Sequence, residues 1–241
     1  MKDRSRQEAQ PGFVLHTHPY RESSLIVEAI TRDHGRIALM ARGARRPKSA
    51  LRGILLSFQP LLLSWSGRGE LRTLTRAEWH GAYRPLRGRA LICGFYLNEL
   101  LLKLLHREDP HERLFDAYQQ ALAGLAAGPG REGILRRFEL RLLQELGYAV
   151  TLDRDADSGD AIDAHRRYVY LIERGPVDAA AIASEKGVEL SGSTLLDMKS
   201  ENYGSAVTQQ QSKKLMRTLI DHYLGKQVLH TRQMLRELQD L

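Results

Sequence analysis

Residues 41–53, ARGARRPKSALRG, gather Arg42, Arg45, Arg46, Lys48 and Arg52 into thirteen positions without an acid. The chemistry this allows is recognition of phosphate, because a guanidinium offers a planar fork of donors that pairs with phosphate oxygens two at a time. The bias extends beyond the segment: 17 Lys and Arg stand against 7 Asp and Glu in residues 1–89, and 15 of those cations are Arg. The rest of the chain is mildly acidic, with 19 against 22, so the net charge of +7 belongs to the N-terminal part. A polyanion is the implied partner. The plain alternative is that surface arginines only keep the protein in solution.

Two further groups could do metal chemistry. His16 and His18 alternate on one expected strand face, but no third ligand lies nearby in sequence. Asp153, Asp155 and Asp157 alternate as the opening of a calcium loop does, yet the glycine falls one place late at Gly159, and position twelve is Ala164 instead of Glu. The acidic run TLDRDADSGDAID at 151–163 therefore reads as a solvated loop, and no metal or cofactor is expected. Cys93 is the single cysteine, which excludes an intrachain disulfide and any thiolate zinc cluster. There is no phosphate-binding loop, GxGxxG, HExxH or GxSxG, so an enzyme is not expected. Glu99 and Glu139 read as solvated or salt-bridged helix positions. No apolar run is long enough to span a membrane and the N-terminal residues lack a secretory h-region, so the expected location is cytoplasmic.

The elements that must position the arginines follow from periodicity. GFVLHTH, SSLIVEAIT, GRIALMARG, ILLSFQPLLLSW and ELRTLTRAEW read as five strands, joined by turns at Asp33-His34-Gly35 and at 66–69, with Pro60 marking a bulge or bend inside the fourth. A basic five-stranded unit of this size suits an oligonucleotide-binding (OB) barrel, while an SH3-like barrel has the same strand count. From Tyr83 the period changes to 3.6: helices are expected at 89–107, at 111–126 and over GILRRFELRLLQELG, with Gly147 as cap, forming an antiparallel bundle. YVYLI at 168–172 is one strand, followed by an irregular segment to about Gly204. Thr208 with Gln211 reads as a capping box for a helix that stops at Gly225, and a last helix from about Thr231 is expected to dock on the bundle.

Four ordered blocks now carry a resemblance: GFVLHTHPYRESSLIVEAITRDHGRIALMARGARRPKSALRG, LLSFQPLLLSWSGRGELRTLTRAE, FYLNELLLKLL and ILRRFELRLLQELGY. Together with a weaker C-terminal LHTRQML, they resemble the RecO family of bacterial recombination mediators. The resemblance implies an α+β chain with an N-terminal five-stranded OB-type barrel at 1–82. A helical domain at 83–150 and 205–241 and a small inserted lobe at 151–204 would follow. Many relatives hold zinc in that lobe with four cysteines, which this sequence does not have. Proteins similar to this bind single- and double-stranded DNA, anneal complementary strands even when coated by single-stranded-DNA-binding protein (SSB), and act with RecR to load RecA at gaps.

On that footing the loop arginines would lay along a phosphate backbone. Arg36 shares strand parity with Arg42 and extends the track, and Arg68, Arg72 and Arg76 are candidates on the adjacent hairpin. Trp65, Trp79, Phe58 and Tyr20 are available for base stacking, although strand tryptophans usually serve the core. The resemblance places the acidic, phenylalanine-ending tail of SSB on the helical domain, with Arg136 at the matching position and Arg137 and Arg141 beside it. Alternatives are an adaptor joining SSB to RecR with DNA contact secondary, and an RNA-binding OB protein.

Overall fold

The computed structural model describes residues 6–81, 83–148, 150–182 and 186–237. Backbone contacts divide the chain into two compact units, Met1–Pro129 with Leu229–Leu241, and Gly130–Val228. This division runs across the domain borders expected from sequence.

In the first unit, β1 (Arg6–Tyr20), β2 (Ser24–Thr31), β3 (Gly35–Ala41), β4 (Leu61–Ser66) and β5 (Leu71–Trp79) close a barrel in the order β1-β2-β3-β5-β4. All pairings are antiparallel except β3 with β5, the one that closes an OB-type barrel. Alternation fixes the faces: Ile37, Leu39 and Ala41 point inward with Val27, Leu61, Leu63 and Trp65, and all are nearly inaccessible. β1 serves two neighbours, pairing with β4 through its first half and β2 through its second, and bends at register shifts in both.

The fourth strand begins later than periodicity predicts. ILLSF does not pair as a strand: α1 (Leu51–Ile54) forms a single turn, Leu55 plugs the barrel, and β4 starts only after Pro60. Proline cannot donate a ladder bond, so it marks the strand's edge, and its carbonyl accepts the His80 N–H at 2.9 Å. α2 (Gly88–Leu104) and α3 (Glu112–Ala127) complete this unit with α7 (His230–Glu237).

The barrel and helices join through polar bonds as well as packing. Asn98 donates to the Leu15 carbonyl at 2.8 Å and accepts from the Tyr118 hydroxyl at 2.5 Å, all buried. Phe13 packs between Phe115 and Tyr118. Glu99 neither lies free in solvent nor serves only a salt bridge: its carboxylate accepts the backbone N–H groups of His230 and Thr231 and so caps α7.

In the second unit, α4 (Arg131–Glu145) and α6 (Ala206–Leu224) pack on a three-stranded sheet, β7-β6-β8, built from β6 (Arg167–Leu171), β7 (Gly175–Asp178) and β8 (Val188–Ser191), with α5 (Gly192–Lys199). The three helices expected as one bundle fall in different units: α2 and α3 group with the barrel, and α4 with α6. The expected capping box also fails, because Thr208 Oγ1 donates to Asp197 and Gln211 accepts from the Ser191 N–H, so both side chains serve tertiary contacts. Asp155 organises the acidic loop by accepting from the N–H groups of Asp157, Ser158 and Asp178. Although burial raises its pKa, these bonds hold it below the usual carboxylate value. No helix among the described residues is long and apolar enough to cross a membrane.

Candidate nucleic-acid interface

The segment after β3, expected from sequence as a loop that lays its arginines along a phosphate backbone, is a string of tight turns. The N–H of Arg46 bonds to the Gly43 carbonyl, Ser49 to Arg46, Arg52 to Ser49 and Gly53 to Ala50. Gly43 supplies the left-handed φ of +66° that starts the first turn, and Ala44 is buried in the barrel core as an anchor. Arg45 ties the segment to the β1–β2 turn, donating from its backbone N–H to Ser23 and from Nη1 to the Arg21 carbonyl. A scaffold of this kind presents side chains without losing much backbone freedom on binding.

Its side chains point outward. Arg42, Arg45, Arg46, Lys48 and Arg52 are all exposed, and none has a carboxylate partner among the described residues. Arg21 joins them from the neighbouring turn, at a left-handed φ of +51° and with its guanidinium 5.3 Å from the centre of the Tyr20 ring. Sequence reasoning missed Arg21. The hairpin pairing of Leu25 with Ala41, which brings that turn beside the loop, was the available signal.

The other sequence candidates do not join this cluster. Arg36 has the expected outward parity, but its side chain is only 17% exposed, bonded to Glu28 at 3.1 Å and to the Leu102 and Leu105 carbonyls. It closes the C-terminal end of α2, so its charge is spent inside the unit. Glu28 is buried and also accepts from Arg107. Arg72 is 18% exposed and held by Glu108 at 2.7 Å. Arg76 is exposed and paired with Glu78. Arg68 stands exposed at the tip between β4 and β5 without a carboxylate partner among the described residues, at the opposite end of β3 from the arginine loop.

The aromatic candidates separate by burial. Trp65 is core, with His34 against its ring at 5.2 Å, and Phe58 is buried, whereas Trp79 is exposed at the end of β5. His16 and His18 lie edge to face at 4.3 Å; burial, then the charge of His18, lowers the His16 pKa. No group of three metal-ligating side chains occurs among the described residues.

The second unit carries its own cleft of about 320 Å³. Arg137 and Arg141 line it beside Leu140, Val150 and Leu152, but Arg136 does not. Arg136, the residue favoured from sequence, is 11% exposed and paired with buried Glu139 one helical turn on. Arg137 reaches Glu201 at 3.6 Å and the Tyr203 ring at 5.6 Å, and Lys199 bonds Asp153 at 2.8 Å. The cleft thus combines apolar Leu140, Val150 and Leu152 with cations and with the carboxylates of Asp153 and Glu201.

Comparison with known proteins agrees with this architecture. Two family models match: Recombination protein O N terminal over residues 5–83, and Recombination protein O C terminal over residues 86–233. The chain is 59% identical over 239 residues to the DNA repair protein RecO of Nitrosospira multiformis, covering 99% of each chain. It is 55% identical over 242 residues to that of Aromatoleum aromaticum and 53% identical over 243 residues to that of Azoarcus sp., with full coverage of both chains in each case.

Proposed function

The chain belongs to the RecO family, and from that premise we propose that it is a DNA repair and recombination mediator that binds single- and double-stranded DNA, anneals complementary strands including SSB-coated ones, and with RecR helps load RecA at gaps. One observation carries the reading: the turn-built segment that holds Arg42, Arg45, Arg46, Lys48 and Arg52 outward, with Arg21 beside it and no carboxylate partners among the described residues. Cations held in this way take up phosphates and release condensed counterions, which gives affinity without sequence preference. Annealing then needs no bond chemistry. Two polyanionic strands repel, and a cationic surface that receives both lowers that barrier while base pairing supplies the product's stability.

The cleft of the second unit supports the SSB contact. An acidic tail ending in phenylalanine needs an apolar floor and a cation for its carboxylates, and Leu140, Val150 and Leu152 with Arg141 and Arg137 supply both. Of these cations Arg141 has no carboxylate partner among the described residues, so it takes the leading role in place of Arg136.

The test is annealing of complementary strands precoated with SSB. A variant with Arg45, Arg46 and Lys48 changed to Ala is expected to lose annealing while keeping its fold. An adaptor would instead tolerate that change and fail when Arg141 is replaced, and an RNA-binding protein would prefer structured RNA to single-stranded DNA.

A further inference from the structure

Phe95 lies on α2 between buried Gly94 and buried Tyr96, yet the residue is 42% exposed. It is not loosely held. Gly94 lets Phe58 and Leu86 pack onto bare helix backbone: a Cβ there would lie 2.7 Å from Leu86 Cδ1 and 3.0 Å from Phe58 Cε1. The Phe95 ring then rests against Phe58, centroids 5.0 Å apart and planes at 72°. Phe58 itself sits at a left-handed φ of +68°, a costly conformation for a bulky residue. The outcome is an aromatic surface fixed along one side and open on the other.

The stretch that enters α2 is cationic. Arg84 and Arg87 flank Leu86, Arg89 lies in the first turn of α2, and all three are exposed without a carboxylate partner among the described residues. No acid occurs between Glu78 and Glu99 in the sequence. Gln59, which follows the arginine segment in the chain, donates to the Tyr83 carbonyl at 3.2 Å and accepts from its N–H at 3.1 Å, tying that stretch to the start of 83–89. Leu56, 49% exposed, lies between Arg52 and Phe58 along that path.

We propose that Phe95 is a stacking platform for an unpaired base of single-stranded nucleic acid, with Arg84 and Arg87 pairing the adjacent phosphates. The inference rests on the DNA-binding reading above and deepens it by naming where bases are held. A partly exposed ring offers a π-face that any base can use, which suits a surface that does not read sequence. Charge decides the occupant: three exposed arginines without a carboxylate partner among the described residues, on the stretch that leads through Leu86 into α2, call for an anion, as a phosphodiester backbone provides. The site also bears on the proposed annealing. A base stacked on Phe95 is unpaired but ordered, and duplex DNA offers no such base.

The test uses the full chain and three labelled ligands: an oligo-dT strand, the same strand with abasic sites, and a duplex. Phe95→Ala is expected to weaken oligo-dT binding about tenfold, as loss of one stacked base does, with abasic strand and duplex changed by less than about twofold. Phe95→Trp is expected to bind oligo-dT at least as well as wild type, and Phe95→Leu, which keeps apolar packing on Phe58, to behave as the alanine variant. Equal binding of oligo-dT by wild type and Phe95→Ala overturns the inference, as does equal weakening of all three ligands. Unchanged DNA binding with loss of affinity for an acidic peptide overturns it in favour of a protein ligand. If the Arg45, Arg46 and Lys48 variant loses DNA while Phe95→Ala does not, this inference fails and the DNA-binding reading stands. Failure of the wild type to bind any strand overturns both.

Discussion

Arg45 donates from Nη1 to the backbone carbonyl of Arg21 at 3.2 Å, while its own N–H bonds Ser23 at 2.9 Å. These two bonds fasten the segment after β3 to the turn between β1 and β2. They convert two stretches that sequence separates into one cationic end of the barrel.

Arg36 and Arg76 were both candidates for DNA contact, and the structure separates them. Arg36→Ala removes a partner of buried Glu28 and two bonds to the end of α2. It is expected to cost about 3 kcal/mol of stability in denaturant unfolding. Arg76→Ala breaks only an exposed pair with Glu78 and should change stability by less than about 1 kcal/mol. Equal effects would contradict this assignment.

In the second unit, Arg141→Ala is expected to weaken binding of an acidic, phenylalanine-ending peptide about tenfold without altering the unfolding midpoint, because it removes one charge-assisted bond at the cleft rim. Arg136→Ala should lower the midpoint instead, since it leaves Glu139 buried without this ion pair. Isothermal titration alongside thermal unfolding distinguishes the two.

Glu99 supplies a pH dependence with a definite sign. Burial pushes its pKa up, but bonds from Thr231 and His230 and the charge of Lys103 hold it below the ordinary 4.5. A depressed carboxylate contributes stability above its unfolded pKa and loses it as pH falls through the folded value. The protection factors of the His230 and Thr231 amides, taken relative to the intrinsic exchange rate at each pH, should therefore fall as pH drops below about 4.5 and hold steady above it. Glu99→Gln should flatten that dependence.

Much of this was legible in the sequence because it is locally encoded. The strands of the barrel, the helix over 131–145 and the stops at Gly147 (φ +82°) and Gly225 (φ +59°) follow from period and backbone chemistry within one stretch of chain. β7 and β8 are four residues each, too short to show a period, and α5 is eight, so the region after β6 reads as irregular. The roles of Arg36 and Arg72 depend on Glu28, Glu108 and the end of α2, up to 69 residues away, which composition does not reveal. Phe95 was hidden for another reason. In ALICGFYL nearly every residue is apolar, so no period marks which one faces water.

The salt dependence of oligo-dT affinity reports whether the arginine segment is a phosphate-binding surface. Each phosphate neutralised on a single strand contributes about 0.7 to the slope of log K against log salt. Changing Arg45, Arg46 and Lys48 to Ala is expected to weaken binding at low salt and to lower that slope by about 2. An unchanged slope and affinity in a folded variant would contradict the claim and leave these charges as solvation alone.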